Sequence, residues 1–266
     1  MNSPTLFAVP TEHVAPAPAL APGECRVWWA DPADEPVENL VGALSATELK
    51  RAATYRREQD RRRFLTACWL LRAAAAEQLG VSPAAVPVVR RCPDCDKPHG
   101  RPYILGDAGL HASISHSGSR VAVALTTAGP VGVDVEEVPD APVSELVRCA
   151  LTRSEKIALA MLPEREQHAA FARMWTRKEA VLKATGHGLR IPPDQVEVSD
   201  PWDEPELLSW PLDVAPETLR MSDVHPGAGY AAVVAVITED TPIFVTEYTA
   251  ADLRGSTSAA ALPVAA

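Results

Sequence analysis

The sequence predicts an α+β protein made of two similar halves. Three observations point there. Hydrophobic residues make up 47% and charged residues 23% of the 266, enough for one large core or two small ones. The breaker Ala128-Gly129-Pro130 falls near the middle of the patterned body. On either side of it the chain reads strand, then helices, then strands, which is not the alternation of a parallel doubly wound sheet.

Met1–Glu24 holds five Pro and five Ala without periodicity, and residues 1–24 are expected as a flexible tail. The N-terminal half then spans 25–127. It opens with a strand at Arg26–Ala30. Ser45 with Glu48 three residues on forms a capping box and starts a helix. A long helix follows over about Asp60–Leu79, with Phe64, Leu65, Trp69, Leu71 and Ala75 as its buried stripe and Gly80 as its stop. Short strands are expected at Val86–Arg90, Pro102–Leu105, His111–Ser115 and Arg120–Thr126, the last two joined by a turn at Ser117-Gly118. The C-terminal half, 128–248, repeats the order. It has a strand at Val131–Glu136 and helices at Val143–Ala150, Arg153–Met161 and Glu164–Thr185. Strands follow at Gln195–Val198, Leu207–Leu212, Thr218–Ser222, Tyr230–Thr238 and Ile243–Tyr248. Thr249–Ala266, rich in Ala, Gly and Ser, is expected as a second flexible tail.

The net charge of −10 argues against a protein that grips nucleic acid non-specifically. Its distribution is uneven: Lys50–Arg72 carries eight basic residues against Glu58 and Asp60. Such a patch suits a small polyanion or an acidic protein, or else it is a solvated helix face. The longest apolar run, Tyr230–Ile237, is far short of the roughly 20 residues of a membrane span. No secretory signal pattern opens the chain, and five cysteines, an odd number, point to a reducing cytoplasm.

Three segments carry chemistry. In Gly132-Val133-Asp134-Val135-Glu136, strand alternation sends Val133 and Val135 to the core. Asp134 and Glu136 then share the other face, roughly 6–7 Å apart along the strand. That pair can close on one Mg²⁺, or it is the acidic face of a half-exposed strand. Phe171–Lys183 is helical by pattern, with Phe171, Met174, Trp175, Val181 and Leu182 inward. Glu179 and Lys183 stack four residues apart, either as a surface ion pair or as a third metal carboxylate beside a phosphate-binding ammonium. In Ser113-Ile114-Ser115-His116-Ser117-Gly118 the serines share a face, Ile114 enters the core, and His116 ends the strand beside a turn. Hydroxyls and an imidazole suit a phosphate; a Ser-His-Asp hydrolase lacks its Gly-x-Ser-x-Gly elbow here.

In this order, Ser-His, then Gly-Val-Asp-Val-Glu, then Trp175-Thr-x-Lys178-Glu179-Ala-x-x-Lys183-x-x-Gly186, the chain resembles the 4′-phosphopantetheinyl transferases. Its length and two-half layout resemble the Sfp-like, monomeric branch. The resemblance implies two α+β halves packed about a pseudo-two-fold. It implies transfer of 4′-phosphopantetheine from coenzyme A to a serine of an apo acyl or peptidyl carrier protein, with release of 3′,5′-ADP, in secondary metabolite biosynthesis. It places Asp134, Glu136 and Glu179 on the metal, Mg²⁺ or alternatively Mn²⁺. Lys183, Ser115 and His116 fall on the cofactor's phosphates, and Arg101 of Gly100-Arg101-Pro102 replaces a lysine that binds coenzyme A. Arg63 falls on the 3′-phosphate, and Arg51 on a second basic site. Glu179 is the candidate base and Lys183 its catalytic partner. The carrier partner is expected to be acidic and to meet the arginines of Arg56–Arg62, with no nucleic acid or membrane involved. The rival readings are a metal-dependent phosphoesterase acting on a nucleotide-type phosphate, and a binding module stapled by zinc through Cys92, Cys95 and His99, with His111 as a fourth ligand.

Overall fold

A computed structural model describes residues 19–90, 95, 100–106, 109–141, 143–212 and 215–257. Strand β1 (Glu24–Ala30) leads through the short helices α1 (Val37–Val41) and α2 (Ala46–Ala52) to the long helix α3 (Glu58–Leu79). The hairpin β2 (Val88–Arg90) and β3 (Pro102–Ile104) follows, then β4 (His111–Ser117) and β5 (Arg120–Thr126). After the central turn come β6 (Val131–Glu137), α4 (Ser144–Ala150), α5 (Arg153–Met161) and the second long helix, α6 (Glu164–Thr185). The chain ends in β7 (Glu197–Val198), β8 (Leu207–Ser209), β9 (Leu219–Asp223), β10 (Tyr230–Ile237), β11 (Phe244–Thr249) and α7 (Ala250–Thr257).

The expected caps are present. Ser45 and Glu48 form a reciprocal capping box on α2, and Thr152 with Glu155 does the same for α5. Gly80 closes α3 in the left-handed region, at φ 64°. Gly186 closes α6 in the same way, at φ 74°.

The main sheet runs β11-β1-β5-β4, and a second sheet runs β6-β10-β9. Helix α3 packs on the first, where Trp28, Leu65, Leu70, Val123 and Leu125 belong to one core. Helix α6 packs on the second, where Met174, Val181, Leu182, Val233 and Ala235 form another. A third core lies where the sheets meet: Val27, Ala122 and Ala124 from the first, with Val133, Val135, Val234 and Val236 from the second. Val133 and Val135 are therefore inward, and Asp134 and Glu136 lie on the opposite face, as alternation requires.

The C-terminus departs from expectation. Strand β11 crosses over and pairs with β1 in parallel, from Glu24↔Phe244 to Trp29↔Thr249. Helix α7 continues from it and buries Leu253, 1% exposed, in the first core. The tail expected from Thr249 is thus ordered over 249–257, and the last strand of the second half completes the first half's sheet. Composition suggested a tail because alanine is small. The same property lets Ala250 fit, buried, against the first core. Helix α1 was not anticipated, because five residues around one buried leucine give too little periodicity to recognise.

Candidate active site

Strand β6 and helix α6 bring the acidic and basic groups together, and a glycine makes this possible. A Cβ at Gly132 would lie 1.9 Å from the Ala180 carbonyl oxygen and 2.6 Å from the Ala184 nitrogen. The helix backbone therefore rests directly on the start of β6. From there it presents Glu179 and Lys183 to Asp134 and Glu136.

The orientation of α6 is fixed from behind. Arg177 and Lys178 are both fully buried. Arg177 donates to the carbonyl oxygens of Ser199, Asp200 and Asp203 at 3.1, 2.6 and 2.7 Å. Lys178 Nζ pairs with Glu155 at 2.5 Å and donates to Pro193 O at 2.9 Å. These bonds turn two successive side chains away from β6, while the next, Glu179, interacts with Asp134 and Glu136.

Strand β4 meets β6 through its serines. The Val133 amide donates to Ser113 Oγ at 3.0 Å. Ser115 Oγ donates to Asp134 Oδ1 at 2.7 Å, and Ser117 Oγ donates to Glu136 Oε2 at 2.9 Å. Ser117 also accepts from the Glu137 amide at 3.1 Å. Alternate hydroxyls thus join the two strands along one face. Ile114, expected in the core, is only half-buried and lines the adjoining cleft.

Asp134 is the centre of the site. It is 2% exposed. Lys183 Nζ donates to its Oδ1 at 2.7 Å, to Ser115 Oγ at 2.9 Å and to Val133 O at 3.0 Å. The sequence expectation of a Glu179–Lys183 stack is replaced by this cross-element knot. Asp134 Oδ2, by contrast, is buried with no hydrogen-bond partner. A buried carboxylate oxygen in that condition is costly unless something else binds it. Glu136 is held at both oxygens, by Ser117 and by the Trp175 indole N–H at 3.3 Å. Burial, and then the charge of Asp134, raise its pKa. Glu179 is pushed up to about 7 by burial and by Asp134, with Lys183 acting in the opposite direction. The three carboxylates therefore repel one another through a partly desolvated space, with one ammonium among them.

A divalent cation fits that donor set. The orphaned Oδ2 and the mutually raised carboxyls are relieved by added positive charge, and hard oxygen donors suit Mg²⁺. Among the described residues no three acidic, His or Cys side chains are gathered into a ready-made cage. That is in keeping with an ion held by one or two carboxylates and completed by water and phosphate oxygens.

His116, one residue before the end of β4, lies on the face opposite Ser115 and Ser117. Its ring reaches solvent, yet the packed walls around it desolvate it, and Lys183 and Arg63 add repulsion, so its pKa is lowered. Neutral, it offers one N–H and one acceptor.

Beside this knot opens a cleft of about 1130 Å³ between β3, β4 and the end of α6, with Lys183 and Ser113 in its wall. Arg101 lines it too, but donates to Ala184 O at 3.1 Å and Val131 O at 3.4 Å, and burial lowers its pKa. Arg63 donates to Gly118 O at 2.7 Å, in the turn just past His116, and pairs with Asp60 at 2.9 Å, in a separate cavity. The Arg51 guanidinium lies 5.3 Å from the centre of the Phe64 ring, in a third cavity. The structure thus gathers Ser115, Asp134, Glu136, Glu179 and Lys183, and leaves His116 on the other face of β4. It sets Arg101 on the cleft wall, and Arg51 and Arg63 in neighbouring hollows.

A family profile described as the 4′-phosphopantetheinyl transferase superfamily matches residues 130–235, which include β6 and α6. The 4′-phosphopantetheinyl transferase HetI of Nostoc sp. is 34% identical over 169 residues, covering 60% of this chain and 68% of that protein. This chain belongs to the 4′-phosphopantetheinyl transferase superfamily. Two further relatives come from Bacillus subtilis. The transferase ffp is 26% identical over 80% of this chain and 90% of its own length, and Sfp is 25% identical over 74% and 85%.

In this transferase five further residues contribute that the motifs alone did not mark. Gly132 permits the helix to approach; a glycine opening a strand motif was the available signal. Ser117 and Trp175 orient Glu136, the half-buried Trp175 indole N–H finding its partner there. Arg90 and Arg190 line the cleft without having been singled out. Of the zinc-module residues, Cys92 and His99 lie outside the described residues, while Cys95 is exposed.

Proposed function

We propose that this transferase moves 4′-phosphopantetheine from coenzyme A onto a serine hydroxyl of an apo carrier protein. The observation that supports it most is the Asp134–Lys183–Ser115 knot with its orphaned Oδ2, set between Glu136 and Glu179 at the edge of a basic cleft. The serine oxygen forms a bond to the phosphorus that carries pantetheine. The bond from that phosphorus to the bridging oxygen breaks, and 3′,5′-ADP leaves. Such displacement is governed by positioning and charge neutralisation. Lys183 supplies a fixed ammonium, and Ser115 and His116 supply hydrogen bonds to phosphate oxygens. Glu179, whose carboxyl is pushed up to about 7 by burial and Asp134 when no cation is bound, is suited to take the serine proton while it is not itself a metal ligand. Asp134 through Oδ2, with Glu136 or Glu179 beside it, would hold Mg²⁺, which when bound would offset the charge gathering on the leaving phosphate.

The acceptor is an acidic acyl or peptidyl carrier of secondary metabolism. Exposed Arg56 and Arg57, at the start of α3, favour its approach. We read the enzyme as a monomer, because its carboxylates and serines come from one chain, and as cytoplasmic, because its five cysteines are an odd count. Among the described residues no helix is long and apolar enough to cross a membrane.

The test follows 3′,5′-ADP release from coenzyme A with and without an apo carrier. The proposal expects release only when the carrier is present and its serine intact. Release without any carrier would replace transfer by hydrolysis of the diphosphate bond.

A further inference from the structure

The turn that joins β4 to β5 carries one of the donors of the acidic site. Ser117, where β4 ends, donates to Glu136 Oε2 at 2.9 Å, and Gly118 and Ser119 follow it. Whatever fixes this turn also fixes that donor. Side chains from both halves of the chain do so. From the first half, Arg63 donates to Gly118 O at 2.7 Å. From the second, Tyr230 opens β10 directly across from Glu137 of β6.

The Tyr230 hydroxyl oxygen accepts from the Ser119 amide at 2.9 Å and donates to Glu137 Oε1 at 3.5 Å. Gly118 has a φ of 52°, and a Cβ there would lie 2.3 Å from that same oxygen. The turn therefore rests directly on the phenol. The ring is itself held. The Arg120 guanidinium lies over it, 5.4 Å from its centre, and is anchored to Pro226 O at 2.6 Å and to Asp31 at 3.4 Å. Tyr230 thus reaches Glu136 through the turn and Ser117. Carboxylates that bind a metal rely on their own hydrogen-bond donors for orientation, and loss of such a donor costs about 10–100-fold in metal affinity.

We propose that Tyr230 is a positioning residue for the cation: by holding the Ser119 amide it keeps the Ser117 hydroxyl on Glu136, and so sets the affinity for the divalent ion. The inference rests on the reading that Glu136 is one of the ligands. It is testable without a carrier and without transfer.

Mn²⁺ uptake by the full chain, read from the free-ion signal in electron paramagnetic resonance, would be measured for wild type, Tyr230→Phe, Ser117→Ala, the double variant and Asp134→Ala. Tyr230→Phe removes one oxygen and keeps the ring under Arg120. It should weaken Mn²⁺ about threefold, and Ser117→Ala about tenfold. The double variant should bind no worse than Ser117→Ala, because Tyr230 acts through Ser117. In the transfer assay Tyr230→Phe should raise the Mg²⁺ needed for half the maximal rate about threefold and leave that maximal rate within about twofold. A tyrosine that only supports the fold would lower the melting temperature and leave Mn²⁺ affinity unchanged, which would overturn the proposal. A further loss on adding Tyr230→Phe to Ser117→Ala would also overturn it. Loss of Mn²⁺ in Asp134→Ala, with wild-type affinity in both Ser117→Ala and Tyr230→Phe, would keep the metal site and sink this inference alone. A wild-type chain that takes up no Mn²⁺ would overturn the metal reading, and the inference with it.

Discussion

Asp134 illustrates what one buried carboxylate can organise. One oxygen takes Ser115 and Lys183, and the other is left for a cation. Asp134→Ala should abolish transfer at saturating Mg²⁺ while leaving a folded chain, read by product mass and by circular dichroism. Glu179 makes the cost of the site measurable. Its pKa is raised from 4.5 to about 7, so the folded chain keeps a proton that the unfolded chain has released. Stability therefore falls as pH climbs from about 4.5 to about 7, and the full penalty, about 1–3 kcal/mol, is present above that window. With EDTA present, Glu179→Gln should melt higher than wild type at pH 8 and equally at pH 4, and it should lose transfer. An equal melting temperature at both pH values would show that Glu179 is not electrostatically strained. These acidic residues were legible in the sequence because two rules sufficed, alternation in a strand and a four-residue step on a helix. Their hydrogen-bond partners were not legible. The Ser117–Glu136 and Trp175–Glu136 bonds depend on which strand and which helix lie alongside, and no local pattern encodes that.

Helix α6 is placed by contacts on both its sides. In front, Gly132 lets its backbone touch β6. Gly132→Ala should cost about 3 kcal/mol or more, because backbone, not a movable side chain, blocks the new methyl group. Behind, Lys178 and Glu155 form a pair 0% and 4% exposed, and Glu155 also caps α5 and accepts from the Val198 amide. Lys178→Met would strand Glu155 in the interior and should cost about 3–5 kcal/mol by urea denaturation, with Lys178→Met/Glu155→Gln recovering much of it. Most elements were readable, since caps such as Ser45, Thr152 and Gly80 act within a few residues. In the Lys178-Glu179 dipeptide, however, sequence alone could not separate the structural cation from the working carboxylate. One residue of helical rotation sends the first into a nest of carbonyls and the second toward Asp134 and Glu136.

At the scale of the molecule, the last strand decides the closure. Pairing β11 with β1 ties residues more than two hundred positions apart, and α7 then covers the first core. Removing residues 243–266 should leave β1 as an open edge and yield aggregated protein, scored by sedimentation of the expressed chain. This crossover escaped the sequence because a parallel partner at such separation leaves no spacing to read. The order of elements on either side of Gly129 was readable, because each strand and helix carries its own local pattern.

The account turns on transfer of phosphopantetheine to a protein serine, so the intact mass of an apo carrier tests it most directly. The carrier would be incubated with this chain, coenzyme A and Mg²⁺. A gain of one phosphopantetheine is predicted, absent with EDTA, with the acceptor Ser→Ala and with Asp134→Ala. An unchanged mass across several unrelated carriers, with the chain shown to be folded, or an equal gain with Asp134→Ala, would contradict it.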